Sequence, residues 1–282
     1  MYNGDYMNII ELLKYIFLGF IQGITEPIPV SSSGHLLIAK VLMERWFGDI
    51  AIDYDLLAII TNFGSLIAIV AIFWKDIISL IKDFFSFLKT KDKKYKLNFR
   101  YCLFLVIATI PAGICGLIVT KLKIFDSLES NVKFVGVMLL VTAIFLFLIR
   151  NIKGEKKEKN MTLKDAIIVG LFQVVALFPG ISRSGATIVG GMTRKFTRET
   201  AFKFSFLLYI PISLATMILG ISDLLGANLS AAQWIYYMSS MIIAGIFTYI
   251  GTKWFRKLVV DGKLIYFVIY CVVVGSLIIL FV

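Results

Sequence analysis

Two short stretches of the 282-residue chain hold side chains whose types and spacing suit chemistry on a phosphate. The first is QGITEPIPVSSSGH at 22–35. Gln22 and Glu26 are four apart and share a helix face, and Pro27 and Pro29 stop that helix. Ser31, Ser32 and Ser33 then precede Gly34, giving hydroxyls and free amides at the start of a second short helix, a geometry suited to a phosphate. A carboxylate among apolar residues needs a cation or a proton to meet, which makes Glu26 a functional candidate. His35 is the only histidine in the chain. A lone histidine is commonly structural, but one directly after Ser-Ser-Ser-Gly is a candidate acid or base. The second stretch, PGISRSGAT at 179–187, sets Arg183 between Ser182 and Ser184. A guanidinium fork matches two phosphate oxygens at once, and in their absence Arg183 has Glu26 as an internal partner. The two states are compatible if a ligand joins the pair.

The rest of the chain says where these stretches sit. Its residues are 59% hydrophobic and only 17% charged, with a mean hydropathy of +0.88. A soluble globular fold is excluded, and an all-α polytopic membrane protein is expected. The net charge of +11 would suggest nucleic acid in a soluble protein. Here the basic residues lie between apolar runs, so topology accounts for them and no nucleic-acid partner is expected. Cys102, Cys115 and Cys271 sit in apolar stretches without metal-ligand spacing and are expected to be buried free thiols. The apolar segment 12–24 imitates a signal peptide, but Lys14 interrupts it and no small-residue cleavage site follows, so it is expected to be retained.

Runs long enough to span appear at 55–74, 101–120, 132–149, 202–221, 233–252 and 264–282, which makes six crossings. Two further regions, 8–43 and 163–193, are interrupted near their middles by Pro, Gly and Ser and are expected to be broken, re-entrant helical hairpins. Basic residues crowd 75–100 and 150–164, which are read as cytoplasmic loops, whereas 44–55 carries Glu44, Asp49, Asp53 and Asp55 against Arg45 and is read as external. With each hairpin entering and leaving by one face, both termini fall outside.

An offset of 151 aligns Gly19 with Gly170, Gln22 with Gln173, Ser31 with Ser182, Ser33 with Ser184 and Gly34 with Gly185. The chain therefore divides into a first repeat at 1–150, a cytoplasmic linker at 151–162 and a second repeat at 163–282. A hairpin followed by three spans places the copies upside down to one another. That is an inverted-topology repeat, in which the two breaks meet near the midplane.

The stretches at 22–35 and 179–191 resemble the undecaprenyl-diphosphate phosphatase family, the bacterial bacitracin-resistance proteins, and the similarity extends through FGSLIAIVAIFWKD at 63–76 and FSFLLYIPIS at 204–213. The resemblance implies a multi-pass enzyme of the bacterial inner membrane that cleaves a polyprenyl diphosphate lipid to the monophosphate carrier used in cell-wall synthesis, and a homodimer. It implies catalytic roles for Glu26, Ser32, His35 and Arg183. Substrate contacts are implied for Gln22, Ser31, Ser33, Gly34, Ser182, Ser184, Gly185 and Thr187. Position 22 is Gln where the family motif takes either Glu or Gln, and Pro27 and Ser33 replace a common aromatic residue and Thr.

The chemistry expected of this set is binding of the diphosphate by Arg183 and the Ser and Gly amides, then attack on the terminal phosphorus by Ser32 or by a water that His35 activates. Glu26 is expected to hold a divalent cation, Mg²⁺ or Ca²⁺, or to orient His35. The site is expected to open on the extracytoplasmic face, with the prenyl tail among lipid-facing helices. The rival expectation is a lipid carrier or flippase, because secondary transporters build midplane sites from the same parts.

Overall fold

A computed structural model describes residues 8–48 and 52–281; Asp49 of the acidic loop and both chain ends lie outside them. The described residues are helical throughout apart from loops, two short 3-10 turns and one isolated bridge between Lys156 and Phe196. In chain order the helices are α1 (Ile9–Thr25), α2 (Ser32–Phe47), α3 (Tyr54–Ile72), α4 (Trp74–Thr90), α5 (Lys96–Lys121), α6 (Asp126–Glu129), α7 (Val132–Ile149), α8 (Leu163–Val175), α9 (Arg183–Thr193), α10 (Arg198–Gly226), α11 (Ala231–Val260) and α12 (Ile265–Phe281).

Five helical stretches are long and apolar enough to cross a membrane: α3, α5 with the turn before it, α7, α10 and α11. The chain is a polytopic membrane protein. The expected run at 264–282 forms the shorter apolar helix α12, of 17 residues. Several helices outrun their apolar cores, since α10 covers Arg198–Gly226 where 202–221 was expected. Charged residues at the ends are adequate helix formers, and hydropathy reports only the lipid-facing middle. The same effect corrects the loop expected at 75–100. Most of it is α4, an amphipathic helix with Lys75, Lys82 and Lys89 along it, joined to α5 by a tight turn. Of the cysteines, Cys271 is buried, whereas Cys102 and Cys115 are half-buried rather than buried.

Helix starts follow their caps. Asn8 accepts the Ile10 N–H at the start of α1, and reciprocal capping boxes, Thr162 with Asp165 and Ser230 with Gln233, open α8 and α11. Asp165 also fixes the linker: its fully buried carboxylate accepts from Lys156 Nζ at 2.8 Å and from Arg194 Nε at 2.8 Å. Burial pushes this carboxyl up, but the hydrogen bonds from Lys156, Thr162 and Arg194 outweigh it and hold the group below its ordinary value. Its contribution to stability is thus complete at neutral pH and is lost only as acidification passes through that lowered value.

The hairpins are clamped between spans. Helix α1 packs along α11, α8 along α5, and α7 along α12. Small residues allow these approaches, as in other membrane bundles. A Cβ at Gly19 would lie 2.4 Å from the Ser240 carbonyl oxygen, and one at Gly170 would lie 2.7 Å from that of Ala108. Positions 19 and 170 are thus equivalent in packing as well as in sequence. Alanine at either site would contribute about 1 kcal/mol as the better helix former, but backbone overlap cannot be relieved by a rotamer change, and overpacking costs about 1–3 kcal/mol. Gly19→Ala and Gly170→Ala are therefore expected to lower the thermal-unfolding midpoint in detergent; unchanged midpoints in both would contradict these crossings.

Candidate active site

The two helix breaks have the same local design. After Pro27 and Pro29, Ser31 turns the chain with φ of 67°, and its Oγ accepts the Gly34 N–H at 3.3 Å as the N-cap of α2. A left-handed serine costs about 1–3 kcal/mol and persists only where its surroundings enforce it. After Pro179, Gly180 adopts φ of 95°, and Ser182 Oγ accepts the Gly185 N–H at 3.2 Å as the N-cap of α9. In each break the capping serine also meets the serine two residues on, Ser31 with Ser33 at 3.4 Å and Ser182 with Ser184 at 3.2 Å. Val135 of α7 supports both tips, since Cβ atoms built on Gly34 and Gly180 would each run into it. Helix α2 thus begins with Ser32 and α9 with Arg183, and the first residues of both line one cavity.

Glu26 joins the hairpins. One carboxylate oxygen accepts from Arg183 Nη2 at 2.7 Å, and the other accepts from Gln22 Nε2 at 2.8 Å and from Ser32 Oγ at 2.5 Å. The ion pair is largely enclosed, with side-chain exposures of 6% for Glu26 and 27% for Arg183. Arg183 also lies over the Tyr209 ring, 4.5 Å from its centroid, and reaches Ser213 Oγ at 3.5 Å. The Tyr209 hydroxyl in turn donates to Asn62 Oδ1 at 2.7 Å. A guanidinium held by a carboxylate on one side and an aromatic face below has its plane fixed before any ligand arrives.

A cavity of about 960 Å³ opens at this point. Of the expected residues, Gln22, Glu26, Ser31, Ser32, Ser33, Ser182, Arg183 and Ser184 line it. Its far wall is apolar, built by α5 residues such as Ile110 and Ile114 and by α10 residues such as Ile218. These three are half or more exposed on the lipid-facing surface, so the polar end of the cavity continues into a groove that an alkyl chain can occupy.

Four expected residues stand behind this wall rather than in it. Gly34 and Gly185 serve the close packing of the breaks. Thr187 spends its hydroxyl on the Arg183 carbonyl at 2.9 Å and on Ser205 Oγ at 2.6 Å, tying α9 to α10. His35 is buried and engaged at both ring nitrogens: Nδ1 donates to the Ser31 carbonyl at 2.8 Å, and Nε2 meets the Tyr270 hydroxyl at 2.7 Å. A carbonyl only accepts, so Nδ1 carries the proton, and a neutral ring then accepts the Tyr270 O–H at Nε2. His35 is adjacent to the serines in sequence, but its ring is committed to α12. Asn62, Tyr209, Ser213 and Tyr270 carry no motif of their own in the sequence, each lying within an apolar helix; a polar side chain among apolar residues is the available signal.

The donor set does not fit a resident divalent cation. Glu26 is the one carboxylate lining the cavity among the described residues, both its oxygens are engaged, and no cluster of three His, Cys, Asp or Glu occurs there. Calcium takes six to eight oxygen ligands and magnesium a near-octahedral set.

The family model described as bacitracin resistance protein BacA matches residues 15–277. Undecaprenyl-diphosphatase 1 of Bacillus licheniformis is 43% identical over 275 residues, spanning 98% of this chain and all of that protein. Its namesake in Bacillus cereus is 43% identical over 270 residues, 96% of this chain and 97% of that protein. The undecaprenyl-diphosphatase of Oceanobacillus iheyensis is 42% identical over 280 residues, 98% of this chain and all of that protein.

Lysine in place of Arg183 keeps the charge but loses both the fork and the flat face over Tyr209. Arg183→Lys is expected to lower kcat/KM for prenyl diphosphate hydrolysis by about 10²- to 10³-fold, the scale for one pre-aimed donor to a reacting oxyanion. Activity within twofold of the unaltered protein would contradict this placement.

Proposed function

The chain belongs to the bacitracin resistance protein BacA family, and from that premise we propose that it is an undecaprenyl-diphosphatase. It hydrolyses the lipid diphosphate to the lipid monophosphate and inorganic phosphate, which returns the carrier lipid to cell-wall synthesis and confers bacitracin resistance. The observation that carries the chemistry is the 2.5 Å contact between Ser32 and Glu26 at the paired helix starts.

Substrate enters with its terminal phosphoryl between Arg183 and the amide ends of α2 and α9, and with its tail along the α5 and α10 groove. Arg183 then exchanges part of its hold on Glu26 for phosphate oxygens. Ser32 Oγ attacks the terminal phosphorus as Glu26 takes its proton, and the bond from that phosphorus to the bridging oxygen breaks, leaving the lipid monophosphate. Glu26 gives that proton to the departing lipid phosphate oxygen; the freed carboxylate next takes a proton from the water that cleaves the phosphoserine and returns it to Ser32 Oγ as inorganic phosphate leaves. His35 is a positioning residue here: through the Ser31 carbonyl and Tyr270 it holds the strained turn that aims Ser32. The expected divalent cation has no place in this scheme, since Glu26 is committed to Arg183, Gln22 and Ser32; charge neutralisation falls to Arg183 and the helix-start amides.

The pairing of α1 with α11 and of α8 with α5, together with the matched Gly19 and Gly170 crossings, supports an inverted repeat of 1–150 and 163–282 joined by a linker at 151–162. We take α12 as the sixth crossing. Charge distribution supports cytoplasmic linker and α4 segments, external termini and a site opening on the extracytoplasmic face of the inner membrane. A homodimer completes the proposal on the strength of the family resemblance.

Phosphate release from a prenyl diphosphate by the purified protein in detergent separates hydrolysis from lipid transport, since a carrier performs no chemistry. The unaltered protein is expected to release phosphate and Ser32→Ala to lose it by about 10⁴-fold or more while still binding substrate. No release with or without added Mg²⁺ or Ca²⁺ would favour the carrier, and an active Ser32→Ala variant would remove Ser32 as nucleophile.

A further inference from the structure

Gln173 is the second-repeat counterpart of Gln22 and is only 2% exposed. Neither its amide nitrogen nor its amide oxygen has a hydrogen-bond partner among the described residues. Buried side-chain amides left wholly unpaired are rare in folded proteins. This one sits in the last turn of α8, just before the second break, and lines the cavity that holds Ser32 and Arg183.

The repeat explains why the group is free. In the first copy, Gln22 donates to the carboxylate four residues on, Glu26. The same offset of 151 that pairs Gln22 with Gln173 places Leu177 opposite Glu26. The second copy has therefore kept the amide and lost its internal acceptor, together with the negative charge that would repel a phosphate. The cavity wall to which Gln173 belongs also includes Leu177 and the α5 residues Gly113 and Gly116, none of them charged.

We propose that Gln173 binds the lipid-side phosphate of the substrate, the one that remains on the prenyl product. The proposal rests on the phosphatase function and deepens it. The terminal phosphoryl must lie against Ser32 and Arg183, so the remaining phosphate falls to another donor in the cavity. A neutral amide suits that role: Nε2 donates to a non-bridging oxygen, while Oε1 accepts from a protonated phosphate oxygen or a water. Because the lipid-side phosphate is common to substrate and product, Gln173 contributes to the binding of both and little to the chemical step.

The test uses the full-length protein in detergent with farnesyl diphosphate as substrate and farnesyl phosphate as product analogue. Gln173→Leu, with Gln173→Met as a second variant of similar volume, is expected to raise the KM for farnesyl diphosphate and the dissociation constant of farnesyl phosphate each by about tenfold, as for one hydrogen bond to a charged group, with kcat changed far less. Removing an orphaned amide should also leave the ligand-free unfolding midpoint equal or higher, while the upward shift produced by farnesyl phosphate shrinks. Farnesyl phosphate affinity within twofold of the unaltered protein in both variants would overturn the assignment, and so would a lowered ligand-free midpoint with unchanged affinity, which would mark Gln173 as a packing residue. Thermal shift by farnesyl phosphate needs no turnover, so it judges Gln173 independently; absent phosphate release by the unaltered protein would instead sink the phosphatase function.

Discussion

One carboxylate at membrane depth governs the arrangement of this protein. Glu26 follows an apolar helix and needs a positive partner, and Arg183 stands in the mirror situation 157 residues away. Leaving either charge buried without the other costs about 3–5 kcal/mol, so the fold must bring the two hairpin breaks together. The clamping of α1 by α11 and of α8 by α5, the shared seat on α7 and the strained turn at Ser31 all serve that meeting. In the proposed mechanism the pair also keeps the site ready, because a diphosphate entering the cavity presents Arg183 with a better-matched anion while Ser32 remains on the carboxylate.

On the proposed repeat, the two halves are put to unequal use. At the equivalent first positions of α2 and α9 stand Ser32 and Arg183, and opposite Glu26 stands Leu177. In the proposed mechanism one half supplies the hydroxyl and the acid–base group, and the other supplies the cation and a free amide. Both halves have the serine-capped helix start, and in the proposed mechanism the amides there take phosphate oxygens whichever side chain follows. A symmetric site would bind an anion well, but it would set either two carboxylates or two guanidiniums face to face.

Much of this was legible in the chain because membrane insertion writes strong signals. Long apolar runs located α3, α5, α7, α10 and α11, and prolines and glycines inside apolar segments located both breaks. The Glu26–Arg183 pairing was legible as well, since each charge lacked a local partner. Other features were not. Helix α4 looks like a basic loop in the sequence because its periodicity is amphipathic and hydropathy registers only apolar length. Its place after the serines points His35 toward the phosphate, but one turn into α2 its ring meets Tyr270, a neighbour 235 residues away that no local pattern announces. Asn62 and Tyr209 share that difficulty, since a polar group in a span acquires a role only from the helix packed against it.

The central claim is that Glu26 takes the proton of Ser32 and so divides hydrolysis into two in-line displacements at phosphorus. The stereochemical course at the terminal phosphorus tests this most directly, using a prenyl diphosphate whose terminal thiophosphoryl group is chiral through oxygen isotopes and following it into the released thiophosphate. Two displacements predict overall retention of configuration. Overall inversion would mean a single direct attack by water and would contradict the account.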